Sequence, residues 1–226
     1  MAVQPMYKDR WTELLFCAFV VSLISLLINT QNPSGIVIVT SLASTSLALM
    51  IAPGAATNSI RAVYLSYTFA MLVSVVFGLI FSLYIDALIS NEIVLFFIKF
   101  FTMLLATLFL FGTFDAYHPP SIGAMLAYFI DTGFDDLSLL IYVPLAVIFL
   151  LATIKCYIYI RHSDDFKWKD FAKEFSRNYR KIQQAELDKA TKRKVKQIAK
   201  GLLKEKVKPS IIAKATKLTK DEIADL

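Results

Sequence analysis

One stretch decides how the chain can fold: Asp115-Ala116-Tyr117-His118-Pro119-Pro120-Ser121-Ile122-Gly123-Ala124-Met125. Proline fixes its own φ and disfavours a helical conformation in the residue before it, so we expect extended backbone at His118 and Pro119. Pro120 suits the first turn of a helix, and Ser121 suits its cap. The apolar helix predicted to follow, 122–130, would cover less than half of a hydrocarbon core about 30 Å thick. Such a broken helix must be buried in protein or line a wet cavity, which makes this segment the candidate site.

The composition indicates an integral membrane protein. Of the 226 residues, 57% are hydrophobic, and the mean hydropathy of +0.58 is not that of a soluble domain of this size. We predict an all-α fold, a polytopic transmembrane helix bundle with about five full spans and a short broken helix after the His-Pro-Pro motif. No small-residue cleavage site follows the first apolar run, so we expect no cleavable signal peptide. The predicted helices are 14–28, 36–52, 63–85, 93–114, 122–130 and 137–160, with a tight turn at Asn32-Pro33-Ser34-Gly35 between the first two.

Charge predicts the orientation of this bundle, because cytoplasmic loops of membrane proteins are enriched in Lys and Arg. That bias places the N-terminus and Arg61 inside, the acidic loop 86–92 outside, and the basic chain after Arg161 inside. Both ends of the bundle can lie inside only if the chain crosses the membrane an even number of times. The segment 122–130 must therefore make a crossing of its own. The alternative is that 115–136 re-enters the membrane and returns to the same face. We predict a multi-pass protein of the cell membrane whose N- and C-termini are both cytoplasmic.

Charge also divides the chain into three predicted parts. A cytoplasmic leader covers 1–13, the transmembrane domain covers 14–160, and a basic amphipathic helical C-terminal region covers 161–226. Residues 1–160 hold five basic and eight acidic residues, whereas 161–226 hold nineteen basic and ten acidic ones. Within 164–208, basic side chains are interleaved with apolar ones at helical spacing, and one helix is expected to carry Phe171, Phe175 and Tyr179. This pattern is typical of a helix that lies on an anionic membrane surface. Pro209 is expected to open a further short helix, and Thr219 with Glu222 to form a capping box.

No pattern in the sequence predicts catalysis. There are two histidines, no HExxH motif, no phosphate-binding glycine loop and no plausible Ser-His-Asp set. Cys17 and Cys156 lie in apolar runs, where buried thiols are expected and a disulfide or a metal site is not. We therefore expect neither an enzyme nor a cofactor or bound metal.

The segment 115–124 resembles the signature of the HPP family of integral membrane proteins, which is named for its His-Pro-Pro motif. The resemblance extends upstream to a run of small residues at 43–46, to a connection broken by Pro53, and to Arg61 before the third span. It covers residues 11–160 and implies the membrane fold of that family.

Three positions depart from the family pattern. Ala56 and Ile60 stand where the family usually has prolines, and Tyr67 stands where it tends to have a histidine. Family members in photosynthetic lineages are associated with nitrite transport. The resemblance therefore implies a transporter or channel for a small inorganic anion of that kind.

The anion hypothesis gives the residues around the break specific roles. A helix that begins at Pro120-Ser121 would direct free backbone N–H groups of its first turn toward the ion, at the positive end of the helix dipole. Arg61 could supply a bidentate donor fork for a planar anion. His118 could donate when protonated, and it titrates in the range that proton coupling needs. The candidate site comprises Arg61, Tyr117, His118, Ser121, Gly123 and Ala124, with Pro53, Pro119 and Pro120 as its structural motif.

Each assignment has a structural alternative. The two prolines can make a tight connection in which His118 is only a hydrogen-bonded structural residue, and a lone Arg in an inside loop is what topology requires. Asp115 could pair with Arg61. Lys99 is expected to extend toward the interface rather than to line a pathway. Tyr67 could replace the family's histidine as a hydrogen-bond donor, although packing is the expected role of this ring. Thr45 and Ser46 are expected to pack helices rather than to contact substrate.

A second function hypothesis rests on the C-terminal region. The chain would then be a membrane-anchored regulatory or scaffold protein that acts through its basic tail. Residues 164–208 would bind the anionic inner leaflet. Nucleic acid remains open as a partner, because Lys and Arg also contact its phosphates. For the transport function we expect a homo-oligomer, because six membrane spans enclose little volume.

Overall fold

The structure, a computed structural model, describes residues 11–28, 33–130, 139–161, 171–176, 179–205, 207–216, 218–219 and 223. These residues form helices and connections with no strand, so the predicted all-α fold is confirmed for them. The chain divides into two compact units, Met1–Arg177 and Asn178–Leu226. The α-helices are α1 (Trp11–Leu27), α2 (Pro33–Ile51), α3 (Ile60–Tyr84), α4 (Glu92–Phe114), α5 (Ser121–Ile130), α6 (Leu139–Arg161), α7 (Tyr179–Lys204) and α8 (Pro209–Thr216).

Four helices of the first unit, α2, α3, α4 and α6, are long and apolar enough to cross a membrane. Helix α1 is apolar but has 17 residues, and α5 has only 10. The chain is therefore compatible with a multi-pass membrane protein. How many of the six helices cross, and in which direction, stays a prediction.

The predicted bounds of these six helices lie within three residues of the observed ones. One turn was predicted wrongly, because Pro33, Ser34 and Gly35 belong to the first turn of α2. Proline is favoured there, since its missing N–H group has no partner in the first turn of any helix and its φ is already helical.

The short helix α5 packs mainly against α2 and α3. Its inner side chains are buried: Ala124, Met125 and Ala127 have no exposed area, and Tyr128 is 2% exposed. Helix α4, in contrast, is the least buried of the four long helices and exposes many of its aromatic side chains. The interrupted segment thus lies inside the bundle, as its lack of length requires.

Gly123 sets the distance between α2 and α5. A Cβ atom at this position would lie 3.0 Å from the Cβ atom of Ser41 and 3.3 Å from its Oγ. We expect Gly123→Ala to lower the free energy of unfolding by about 1–3 kcal/mol, because α2 and α5 must move apart. Titration with a denaturing detergent in mixed micelles measures this change.

Gly112 provides the matched control, because a Cβ atom there would meet nothing within 4 Å. Gly112→Ala should be neutral or stabilising by up to about 1 kcal/mol, since alanine is the better helix former. Equal losses in the two variants would contradict the role we give to Gly123.

Hydrogen bonds that cap the adjoining helices stabilise the connection between α2 and α3 and the connection between α4 and α5. After α2, the Asn58 Nδ2 group donates to the carbonyl oxygens of Ala48 (2.8 Å) and Ala52 (2.9 Å). The Ser59 side chain then caps α3 by accepting from the N–H of Ala62. After α4, Asp115 adopts a left-handed conformation (φ 50°, ψ 48°). This conformation reverses the chain and satisfies the last carbonyl groups of α4.

The segment after α6 departs from the prediction. A single continuous helix was expected to carry Phe171, Phe175 and Tyr179, but a 3₁₀ turn (Ala172–Phe175) is followed by extended backbone at Ser176. The Phe171 ring lies 5.9 Å from that of Tyr159 on α6, and Glu174 is buried. This turn therefore belongs to the first compact unit, which continues past residue 160.

The second compact unit contains α7 and α8. The predicted helix at Pro209 is confirmed, and α7 ends at Lys204. A small core of Ala199, Ile212, Leu218 and Ile223 joins the parts of this unit. The predicted cap pair of Thr219 and Glu222 lies partly outside the described residues.

Candidate functional site

A buried polar network joins α2, α3 and the connection between α4 and α5. The Tyr67 hydroxyl lies 2.7 Å from Ser41 Oγ and 2.8 Å from Thr45 Oγ1. Thr45 Oγ1 also lies 2.9 Å from His118 Nε2, and His118 Nδ1 lies 2.9 Å from the carbonyl oxygen of Thr57. At the other end, Ser41 Oγ donates to the carbonyl oxygen of Pro120. The network therefore connects the two proline-broken connections through the centre of the bundle.

The partners of His118 define its tautomer. The carbonyl oxygen of Thr57 can only accept, so Nδ1 carries the hydrogen, and Nε2 of a neutral ring accepts from Thr45. His118 lies in the connection outside the long helices, where burial lowers its pKa to about 4 although the bond to Thr57 acts in the opposite direction. The ring is therefore neutral near pH 7, and the expected role as a protonated donor does not apply to this conformation.

The N–H groups that open α5 are already bonded. Those of Ser121, Ile122 and Gly123 donate to the carbonyl oxygens of His118, Pro119 and Pro120 at 3.0–3.1 Å. The Ser121 hydroxyl also donates to the carbonyl oxygen of His118, at 2.7 Å. The expectation of free donors was wrong for this conformation, because the double proline folds into a tight turn whose carbonyl groups face these donors.

Arg61 binds carbonyl groups at the C-terminal end of α4. Its guanidinium donates to the carbonyl oxygens of Phe114 (2.7 Å) and Asp115 (3.4 Å), where the helix dipole is negative. The suggested pairing with Asp115 therefore involves the backbone of that residue and not its carboxylate. Tyr117, another predicted site residue, is 43% exposed and makes a T-shaped contact with the ring of Phe111.

Gly123 and Ala124 are positions of close packing. Gly123 contacts Ser41, and Ala124 has no exposed area. An open cavity of about 340 Å³ lies beside the Gly123 contact. Its lining contains hydroxyl and apolar groups but no charged side chain: Val37, Thr40, Ser41, Ser44, Pro119, Pro120 and Gly123. The structure thus brings His118, Ser121, Gly123 and the two prolines together. Arg61 lies nearby, at the C-terminal end of α4.

The structure adds polar contacts to two sequence interpretations at this network. Tyr67, for which packing was the first expectation and hydrogen bonding the alternative, places its hydroxyl within hydrogen-bonding distance of Ser41 and Thr45. Thr45, expected to pack helices, also lies within hydrogen-bonding distance of both Tyr67 and His118. The small-residue run of α2 gave a signal, since hydroxyl side chains inside an apolar helix often bond across helices.

Sequence reasoning missed a second polar centre, formed by Lys155 and Glu174. Their side chains are 1% and 2% exposed, and Lys155 Nζ lies 2.8 Å from Glu174 Oε2 and 3.0 Å from Oε1. Tyr159 and the N–H of Ile60 also donate to this carboxylate. Pro53, predicted as part of the structural motif, accepts from Lys155 at 3.2 Å. A lysine within the last predicted span was an available signal for a buried charge.

Two further expectations concern single side chains. Lys99 extends to the connection after α3, where it pairs with Asp86 at 2.7 Å, in agreement with the expected direction. Cys17 is buried as expected, but Cys156 is exposed on the surface of α6, so that part of the prediction was wrong. An apolar environment can be supplied by lipid as well as by protein, which is why an apolar run alone did not distinguish the two thiols.

Comparisons with known proteins add no assignment. A scan against protein-family models finds no matching family, and searches among curated proteins and solved structures find no match. The resemblance to the HPP family therefore stays an expectation that rests on the motif residues.

Proposed function

We propose that the protein is a multi-pass membrane transporter for a small inorganic anion such as nitrite, with both termini on the cytoplasmic side. The observation that carries this proposal is the buried network of Ser41, Thr45, Tyr67 and His118. Polar groups within a bundle of membrane-length helices are expensive to bury and often mark a substrate pathway. Interrupted helices are the usual place of such a pathway.

The charges around the network favour an anion over a cation. Arg61 lies at the end of α4 beside this connection, and α5 directs its positive end toward it. The N–H groups of Ser121, Ile122 and Gly123 are bonded to carbonyl groups of the turn, as expected of a site that is closed to substrate. An anion would replace these carbonyl groups when the turn opens, which favours a carrier over a permanently open pore. Membership of the HPP family, implied by residues 115–124, is part of this proposal.

Uptake into proteoliposomes tests the transport function. We expect saturable uptake of nitrite by the wild type, with nitrate and formate as competitors. His118→Ala and Arg61→Ala should each reduce uptake by about tenfold or more, equivalent to about 1.4 kcal/mol of lost interaction. The reason is that His118 links the two connections and Arg61 holds the end of α4 beside them.

Lys99→Gln is the control for these variants. It removes the basic side chain of Lys99 from α4. That side chain pairs with Asp86 near the N-terminal end of α4, whereas Arg61 lies at the C-terminal end. This variant should transport at the wild-type rate. The transport proposal fails if a folded, correctly oriented wild type takes up none of the three anions.

A second function is favoured by one feature of the C-terminal unit. Lys192, Arg193 and Lys194 form an exposed basic run on α7, while the core of the unit lies elsewhere. We propose that this run binds the anionic inner leaflet, each charge near the surface contributing about 1 kcal/mol.

Binding by the full-length protein in zwitterionic nanodiscs tests the leaflet proposal. Phosphatidylserine vesicles should be bound at low salt, and binding should fall when Lys192, Arg193 and Lys194 are all replaced by Gln. Stronger binding to duplex nucleic acid than to these vesicles at the same salt concentration would instead support nucleic acid as the partner.

A further inference from the structure

The carboxylate of Glu174 is surrounded by a full set of donors. Its Oε1 atom accepts from Lys155 Nζ and from the Tyr159 hydroxyl, both at 3.0 Å. Its Oε2 atom lies 2.8 Å from Lys155 Nζ and accepts from the N–H of Ile60 at 3.0 Å. Each oxygen atom thus has two donors, and the group is almost completely withdrawn from solvent.

The donors belong to the helices of the bundle, and each is also fixed by contacts that do not involve Glu174. Lys155 and Tyr159 lie one turn apart on α6, so both side chains lie on one face of that helix. Ile60 is the first residue of α3, where the helix dipole is positive and the cap at Ser59 holds the turn in place. Lys155 also donates a hydrogen bond to the carbonyl oxygen of Pro53, which restricts the position of its ammonium group. These contacts orient a cation, a hydroxyl and an N–H group toward one point.

The acceptor, the carboxylate of Glu174, belongs to a different structural element. Glu174 lies in the single 3₁₀ turn Ala172–Phe175, which is followed by extended backbone. In the same turn, Phe175 is 54% exposed, and with Phe171 it lines an apolar cavity of about 570 Å³ between α3 and α6. Ile60, whose N–H group is one of the donors, also lines that cavity.

Stability alone is a weak reason for this arrangement. Removing two charges from water costs about as much as their attraction returns, and a well-packed apolar pair is often as stable. The donors lie on the helices of the bundle, whereas the carboxylate is supplied by a separate turn. This arrangement is better explained as an anion-binding site that is occupied by a side chain of the same protein. Planar anions with two oxygen atoms, such as formate, acetate and nitrite, present the same pair of acceptors as the carboxylate of Glu174.

We propose that Lys155, Tyr159 and the Ile60 N–H group form a binding site for small planar two-oxygen anions, and that Glu174 fills this site in the described conformation. An external anion competes with Glu174 and releases the turn 172–175. If the proposed transport function holds, this is where the transported anion meets the basic side chain of α6. Binding itself does not depend on transport.

Chemical rescue tests the site. In the full-length Glu174→Ala variant in detergent, the thermal midpoint of unfolding should rise with formate or nitrite and saturate, by about 5 °C or more. Chloride at the same ionic strength should have a much smaller effect, because it offers only one acceptor. The same anions should leave the wild type nearly unchanged, because Glu174 occupies the site.

The double variant Lys155→Met with Glu174→Ala is the matched control, because it has the same space but no cation. It should show no saturable rise with either anion. A rise of the same size in this double variant, or no rise in Glu174→Ala, would overturn the site.

Hydrogen exchange of the wild type tests the competition and does not require any variant to fold. Formate or nitrite should speed amide exchange in 172–176 relative to chloride at equal ionic strength, because the turn leaves the bundle more often. Unchanged exchange would overturn the claim that Glu174 is displaceable. If wild-type protein takes up no nitrite but passes both binding tests, the transport function fails and this anion site stands.

Discussion

Replacing Lys155 by Met should lower the free energy of unfolding by about 3–5 kcal/mol, because it leaves a buried carboxylate without its counter-charge. Glu174 is 2% exposed and cannot turn toward solvent without pulling its turn away from α6. The two remaining donors, Tyr159 and the Ile60 N–H group, carry no formal charge. Detergent titration in mixed micelles measures the loss.

Adding Glu174→Gln to Lys155→Met should recover most of that stability. The amide oxygen still accepts from Ile60 or Tyr159, and the uncompensated charge is gone. Lys99→Met provides a comparison, because Lys99 and Asp86 are 20% and 38% exposed and their pair is worth less than about 1 kcal/mol. If Lys155→Met loses no more stability than Lys99→Met, the buried pair does not have the importance we assign to it.

Acidification should destabilise the folded protein through His118. Burial lowers its pKa to about 4, whereas the unfolded chain has the ordinary value of about 6.5. Between these values the unfolded chain binds a proton that the folded protein does not, so stability falls as the pH falls from about 6.5 to 4. At about pH 5 the expected loss relative to pH 7.5 is about 2 kcal/mol.

The difference between wild type and His118→Gln isolates this contribution, because carboxylates elsewhere titrate in both proteins. Stability should be compared at about pH 7.5 and 5 by detergent titration, and the wild type should show the larger loss. His162→Gln serves as the control, because it makes the same replacement at the only other histidine of the sequence. Equal pH dependence in wild type and His118→Gln would show that His118 is protonated in the folded protein or exposed to water.

Most helix bounds of the first unit could be predicted because they depend on local properties. Runs of apolar residues define α1 to α6, and Pro119 with Pro120 ends one helix and opens the next. The prediction failed at 171–176, where helical spacing of aromatic side chains did not distinguish a surface helix from a turn that packs into the bundle. Spacing reports which residues share a face, not what covers that face.

The roles of the polar side chains could not be predicted in the same way. Thr45 and His118 are separated by 73 positions and meet only because α2 packs on the turn that opens α5. Glu174 follows Lys155 by 19 positions, and no periodicity connects a turn to a helix at that distance. Such pairs depend on how the helices are rotated and shifted against one another.

The sequence by itself determined the apolar helices, the break at His118-Pro119-Pro120 and the change to a basic chain after residue 160. These features follow from hydrophobicity, proline geometry and charge, which act within one segment. Only the tertiary structure decided that the donors opening α5 are satisfied within their own turn, and that a carboxylate from 171–176 occupies the donors of α3 and α6. The physical reason is that a buried polar group must find a partner, and packing determines which partner lies within hydrogen-bonding distance.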